Sequence, residues 1–357
     1  MGTRAKAGTC LASLVKMAVP LCQRAERECP RTGPGRKPDI PDWVLAVLIM
    51  VAVLKRKKSK SAQYRFLAEH RRDLAQWMGT KQFPARSTYF DRYRRARELF
   101  QQAIKWQGEK AIDEGIADAK DVAVDKSMIA ARGPLWHKSD RNRNRIPRGL
   151  HGVDRDSDWG CSKHDGWVQG YSFEVVVSAT RNKTVFPLLA SADRASAKET
   201  QTFSDKIDDL PESTENVSAD SGYDSNQIAE RIEWTEDGRR SGRRFLCAEN
   251  KRGTKQDQPR KKAVQPRNES HRRRLVRRKF YQSPRGKQIY KRRSQTVEPF
   301  NEWFKSLFEL DHRVWHRGLQ NNQTQLLAAI FAYQLLVRYN HRRGNQNGQV
   351  RWILDTL

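Results

Sequence analysis

The sequence predicts an α/β protein: a mixed sheet flanked by helices, preceded by an all-helical region. Three observations carry this. Helix formers dominate from Trp43 to about Gly115, with breakers confined to Gly79, Pro84 and Gly108. Short Val- and Phe-rich runs follow between residues 121 and 249, several alternating apolar and polar positions as half-buried strands do. Two apolar helical patterns then close the chain, over 294–310 and 325–339. A chain of 357 residues is long enough for a sizeable core and for two or three domains or subdomains.

Residues 1–40 read as an irregular segment ending in the turn-rich stretch RTGPGRKPDIPD (31–42). Residues 41–118 read as a helical domain. Its first helix, WVLAVLIMVAVL (43–54), is wholly apolar but twelve residues long. A membrane span needs about 20, so a buried helix is expected and no membrane partner. In KQFPARSTYFDRYRR (81–95) a Pro-containing turn precedes Ser87 and Thr88, candidate N-caps of a basic-aromatic helix. That helix is either the second half of a helix-turn-helix or a solvated basic face.

Residues 119–340 read as the α/β domain. DVAVDKS (121–127) is a strand. YSFEVVVSA (171–179) and TVFPLLASA (184–192) form a hairpin about an RNK turn. ENVSAD (215–220) is a fourth strand, 225–236 a helix and RRFLCAE (243–249) a fifth strand. A basic insert occupies about 251–289. Val297, Phe300, Phe304 and Leu307, at steps of three and four, make a core-facing stripe. QLLAAIFAYQLLVRY (325–339) is the last helix, and 341–357 a C-terminal tail.

Lys and Arg number 69 against 41 Asp and Glu, a net charge of +28. Such an excess predicts attraction to polyanions, nucleic acid above all. The charge is spread along the chain, which disfavours a membrane surface. The five cysteines show no zinc-knuckle spacing, and their odd number disfavours a disulfide framework, so a reducing cytoplasm is expected. Residues 10–22 begin like a signal sequence, but Lys16 interrupts the apolar run.

The order strand, strand pair, helix, strand, helix, strand, basic insert, helix is that of a ribonuclease H-like sheet. There the first strand lies centrally and the fourth beside it. Asp125 ends the first and Asp220 the fourth, so their carboxylates can meet. A long C-terminal helix can bring Glu298 to the same edge. Three carboxylates suit Mg²⁺, a hard cation that takes oxygen ligands. Two such ions can activate the attacking oxygen and stabilise the leaving oxygen of a phosphoryl displacement. Without metal the cluster would repel itself and DNA.

These residues resemble bacterial insertion-sequence transposases of the DDE type, over about residues 40–340. YKRRSQTVEPFNEWFK (290–305) carries the likeness most clearly: Tyr290 and Arg293 precede Glu298, and Lys305 follows it by seven residues. Tyr290 and Arg293 stand one residue further from Glu298 than in the commoner pattern, a spacing of related groups that also carry V-E-P. Gly222 and Tyr223 follow Asp220 as in the family, and Asp125 sits in a run from Val122 to Ser127. The resemblance implies that Asp125, Asp220 and Glu298 are catalytic and bind two Mg²⁺ (or Mn²⁺) ions. It implies that Tyr290, Arg293 and Lys305 contact DNA near the cut. It further implies double-stranded DNA partners, element ends and target, and a homodimer or larger synaptic complex in the bacterial cytoplasm at the nucleoid.

Each residue also has an ordinary reading. Asp125 or Asp220 alone is a common turn former, and Asp224 a common helix cap. Glu302, one turn beyond Glu298, is a rival third ligand. The ring of Tyr290 can simply pack against the last helix. The insert is either a disordered charged loop or a DNA-backbone clamp, and both hold if it orders on DNA. End recognition would then fall to Arg86, Arg92, Arg94 and Arg95. DRDSDWG (154–160) looks like a calcium loop with its Gly one place late, so a solvated loop is expected. His137, His151 and His164 fit no standard metal spacing. A metal-dependent nuclease of the same fold, a DNA-binding protein without catalysis and an RNA-binding basic protein are the alternatives. The last lacks the aromatic motifs of the usual RNA modules.

Overall fold

A computed structural model describes residues 2–29, 38–162, 165–250, 268–345 and 348–357. Six helices come first: α1 (Gly2–Glu28), α2 (Asp42–Leu54), α3 (Lys60–Glu69), α4 (Arg71–Met78), α5 (Arg86–Arg92) and α6 (Ala96–Asp113). The α/β part runs β1 (Asp121–Ala130), α7 (Lys138–Asn142), β2 (Asp158–Ser162), β3 (Gly166–Ser178), β4 (Pro187–Arg194), α8 (Glu199–Ser204), β5 (Asn216–Ala219), α9 (Asn226–Glu233) and β6 (Arg244–Cys247). Then come α10 (Glu269–Gln282), α11 (Pro284–Leu307), α12 (Leu319–Arg342) and α13 (Arg351–Thr356).

The sheet is mixed, in the order β2-β3-β1-β5-β6, with β4 also paired to β3. β1 is central, antiparallel to β3 and parallel to β5. Val124 lies opposite Ala219, so Asp125 and Asp220 are the next residues along two adjacent parallel strands. The β3–β4 hairpin forms about the RNK turn as expected. β2 was not anticipated. It begins inside DRDSDWG and pairs with β3 over only five residues, too few for an alternation to show.

Successive side chains of a strand point to opposite faces. α11 covers the face bearing Asp121 and Phe173: Arg292 pairs with Asp121, and Phe304 stands 5.0 Å from Phe173, edge to face. The opposite face bears Glu174 and is covered by α8 and the turn after it. Lys206 pairs with Glu174 at 2.6 Å, and the hydroxyls of Thr202 and Tyr223 donate to its other oxygen at 2.7 and 2.8 Å. Helices on both faces of a mixed sheet agree with the ribonuclease H-like expectation.

Four expectations need correction. The N-terminal segment is not irregular where it is described: Cys10, Leu11, Leu14, Val15, Ala18, Cys22 and Ala25 are buried on one face of α1, which runs through Pro20. Ser87 and Thr88 do not cap α5; they lie in its first turn, behind Ala85. The tail is not free, since α13 buries Ile353 and Leu354 and Arg56 pairs with Asp355. Nor do residues 41–118 stand apart from 119–340. One apolar core joins them, and buried bonds from Tyr93 to His316 and from Gln334 to the Ile104 carbonyl cross the seam. α2 is buried along nearly its whole length, as its apolar run predicted, and among the described residues no helix is long and apolar enough to cross a membrane.

Candidate active site

Asp125 does not end β1 as expected but lies midway along it, because pairing with β3 carries the strand on to Ala130. Asp220 follows β5 and caps the short turn Ser221–Tyr223, its Oδ1 accepting the Gly222 N–H at 2.8 Å. Parallel pairing of their strands therefore sets the two side by side. α11 approaches with three buried polar residues on one face, Arg293, Asn301 and Lys305, at steps of eight and four. Arg293 Nη2 donates to Asp125 Oδ1 at 2.9 Å, and its Nη1 to Glu298 Oε1 at 2.7 Å. Asn301 Nδ2 donates to Asp125 Oδ2 at 2.8 Å. The guanidinium thus links the sheet carboxylate to the helix carboxylate, and Glu298 itself is half exposed to solvent.

Glu199, in the first turn of α8, is a fourth carboxylate at this end. A Cβ on Gly222 would lie 1.7 Å from Glu199 Oε2 and 3.0 Å from Asp220 Oδ1. Only glycine therefore lets the two acids approach. Nothing in the sequence marked Glu199, because an acid in a helical first turn is commonplace. Burial, then Asp220, pushes the Glu199 carboxyl up to about 7, against the pull of Lys126. Burial likewise pushes Asp125 up to about 6, aided by Asp220 and Glu298, although Arg293 opposes it. Burial works against the charge of Arg293, but Asp125, Tyr290 and Asp220 hold its pKa above the usual range.

The remaining expected residues divide. Tyr290 is near this end, but its ring packs edge to face on Tyr281 of α10, with centroids 4.9 Å apart, and not on the last helix. Lys305 is buried and pairs with Glu302 at 3.0 Å, so Glu302 belongs to Lys305 whereas Glu298 belongs to the Arg293–Asp125 link. In the helical region Arg86, Arg94 and Arg95 are exposed. Arg92 is not: it is buried against Asp42 and the Ile40 carbonyl, a structural tie instead of a DNA-reading side chain.

Of the basic insert, 251–267 lies outside the described residues. Its later part is α10 and the start of α11. α10 is anchored on the sheet edge by Arg274 to Asp224 (2.9 Å) and Arg277 to Glu233 (3.7 Å). The DRDSDWG run is not a solvated loop: Asp154 is buried and accepts from the Tyr171 hydroxyl at 2.8 Å and from the Gly318 N–H. His137 caps α7, His151 is exposed, and His164 lies outside the described residues. A groove of about 1210 Å³ runs beside Trp303, Tyr333 and Trp352, but none of the four acids lines it.

Carboxylates side by side on adjacent parallel strands, a helix bringing a third, and a chain of net charge +28 define an α/β domain suited to a polyanion. The chain belongs to the transposase DDE domain family, whose model matches residues 116–335. No curated protein and no solved structure matches it.

Transposases of this family act on DNA and typically use divalent metal ions. The side chains here suit such a cation in chemistry. Asp125, Asp220, Glu199 and Glu298 offer only hard oxygen donors. The upward shifts of Asp125 and Glu199 come first from burial and then from the neighbouring acid Asp220. Among the described residues no three His, Cys, Asp or Glu side chains are spaced as a metal cluster. Arg293 instead lies between Asp125 and Glu298 and supplies the positive charge.

Proposed function

We propose that this chain is an active DNA transposase of a bacterial insertion sequence. It binds the terminal inverted repeats of its own element, cuts the DNA there and joins the freed ends to target DNA. One observation carries the reading: Asp125 and Asp220 stand next to each other on parallel strands, with Glu298 tethered to Asp125 through Arg293.

Asp125, Asp220 and Glu298 would hold two Mg²⁺ or Mn²⁺ ions, which supply Lewis acidity to the attacking and leaving oxygens. Asn301 keeps one Asp125 oxygen fixed, so that carboxylate presents a constant edge to the substrate. Arg293 holds Asp125 and Glu298 in register, one terminal nitrogen on each, and places its positive charge beside the scissile phosphate. Water attacks the phosphorus, the bond to the 3′-oxygen breaks, and the proton lost by water ends on that oxygen. The new 3′-hydroxyl then attacks a target phosphate and releases a target 3′-hydroxyl in turn. Glu199, the acid pushed to about 7, exchanges a proton near neutrality beside Asp220. Tyr290 borders the cut DNA, and Lys305, paired with Glu302 at 3.0 Å, would have to exchange that partner to reach it. Arg86, Arg94 and Arg95, exposed on the helical region, contact the repeats. Two ends must be held together, so a homodimer or larger synaptic complex at the nucleoid is the working form.

A second reading has an observation of its own. Arg293 already neutralises two of the acids, as it would in a DNA-binding relic that needs no cation. The test is cleavage of DNA carrying the ends that flank the gene, with and without Mg²⁺, beside Asp125→Ala. Metal-dependent cutting and joining that the substitution abolishes supports the transposase. Cutting without joining leaves a nuclease, and equal binding without cutting leaves the relic.

A further inference from the structure

The segment joining β1 to β2, residues 131–157, carries seven Lys and Arg against three Asp. It is long, but it is not slack. The Trp136 N–H donates to Gln169 Oε1 at 2.6 Å, and its buried indole donates to the Arg145 carbonyl at 2.8 Å. The indole of Trp159 donates to the Trp136 carbonyl at 2.9 Å, and Arg141 pairs with Asp158 at 2.8 Å. The acids are turned to other uses. Asp154 is buried, Asp156 accepts the Leu319 N–H at 3.0 Å, and Asp140 faces Arg145 at 3.5 Å.

What remains facing solvent is positive. Lys138, Arg143 and Arg148 are exposed, and among the described residues the side chains of Arg143 and Arg148 have no hydrogen bond or ion pair. Beside Lys138, Trp167 at the start of β3 is 60% exposed. The Lys138 ammonium lies 4.2 Å from the centre of its ring, which holds that cation in place. A large exposed aromatic with a cation on its face, beside a basic loop, is the composition of an interface centre.

We infer that this riveted loop, with Trp167, is a second surface for duplex DNA, gripping the phosphate backbone without reading sequence. This rests on the DNA-acting reading above. The surface lies beyond the C-terminal end of β1. Asp125 is opposite Val175, and Trp167 is eight residues further back along β3. At ~3.3 Å per residue that is about 26 Å, or about eight base pairs at ~3.4 Å each. A duplex cut at Asp125 and running along the sheet reaches Trp167 and Lys138, on the loop that carries Arg143 and Arg148, within one helical turn.

The experiment is a salt titration of the full chain binding a labelled random-sequence duplex and a duplex carrying the gene's flanking ends. Wild type is compared with R143Q/R148Q and R143K/R148K. The glutamine pair should weaken binding on both duplexes alike and lower the slope of log K against log salt by about 1.8, two contacts at ~0.9 each. The lysine pair should keep the wild-type slope, and neither should shift the melting temperature. An unchanged slope in R143Q/R148Q, a loss confined to the flanking ends, or an equal loss in the lysine pair overturns the inference while leaving the transposase reading intact. Absence of duplex binding by the wild type overturns both.

Discussion

Arg293 and Asp125 form a buried ion pair at 2.9 Å, and the same guanidinium holds Glu298 at 2.7 Å. The charge that a divalent cation would supply is therefore carried by a side chain from α11. Arg293→Gln should destabilise the fold by about 3 kcal/mol in a metal chelator, because it leaves Asp125 buried beside like charges. Mg²⁺ should then raise the melting temperature of the variant more than that of the wild type, since the acids have lost their internal cation. Equal Mg²⁺ shifts in the two proteins would sink this account.

The raised acids set a pH dependence. Asp125 and Glu199 titrate in the fold at about 6 and about 7, against ordinary values of 3.8 and 4.5. The folded chain thus binds more protons than the unfolded chain between those limits. Their contribution to stability is full below about pH 4 and is lost as pH rises through 6 to 7. Glu199→Gln should accordingly melt higher than wild type at pH 8, with the gap closing by pH 4. Cleavage without the substitution should fall as pH drops through about 6, where Asp125 takes a proton. A melting gap that is constant across this range would show that the Glu199 carboxyl is not raised in the fold.

Gly222 and Glu199 should be coupled. Gly222→Ala places its methyl where Glu199 Oε2 now stands, so the glutamate must swing away from Asp220. Because a flexible side-chain end yields, the stability cost should stay below about 1.5 kcal/mol. Cleavage should fall in Gly222→Ala and in Glu199→Ala, and the double variant should lose no more than the worse single. Additive losses in that cycle would mean that the two sites act independently.

Arg92 and Arg86 should part in their effects although both are basic residues of one short helix. Arg92→Gln breaks the tie to Asp42 and the Ile40 carbonyl and should cost about 3 kcal/mol in denaturant unfolding. Arg86→Gln removes an exposed cation and should leave unfolding unchanged while weakening binding to the element ends. Equal melting temperatures for the two variants would contradict the burial of Arg92.

Much of the fold was legible because it is periodic. The alternation in DVAVDKS and the apolar stretch YSFEVVVSA placed β1 and β3, and steps of three and four placed the buried face of α11. α1 was also legible in principle: its buried residues recur at helical spacing. Lys16 and Pro20 masked that pattern, since a charge and a proline ordinarily interrupt an apolar helix. β2 was hidden by its length of five residues. Its stability comes from pairing with β3, which no local pattern records.

By itself the sequence determined the class of the protein. Asp125, Asp220 and Glu298 stand on elements that periodicity identifies, with flanking residues that resemble the family the chain belongs to. The tertiary structure decided which charges work against which. Arg293 bridging two acids, Glu199 crowding Asp220 over Gly222, Arg92 withdrawn beneath Asp42, and Trp136 riveting a basic loop are all contacts between distant segments. Electrostatic energy depends on separation in space and on burial, and neither is a property of a residue's place along the chain.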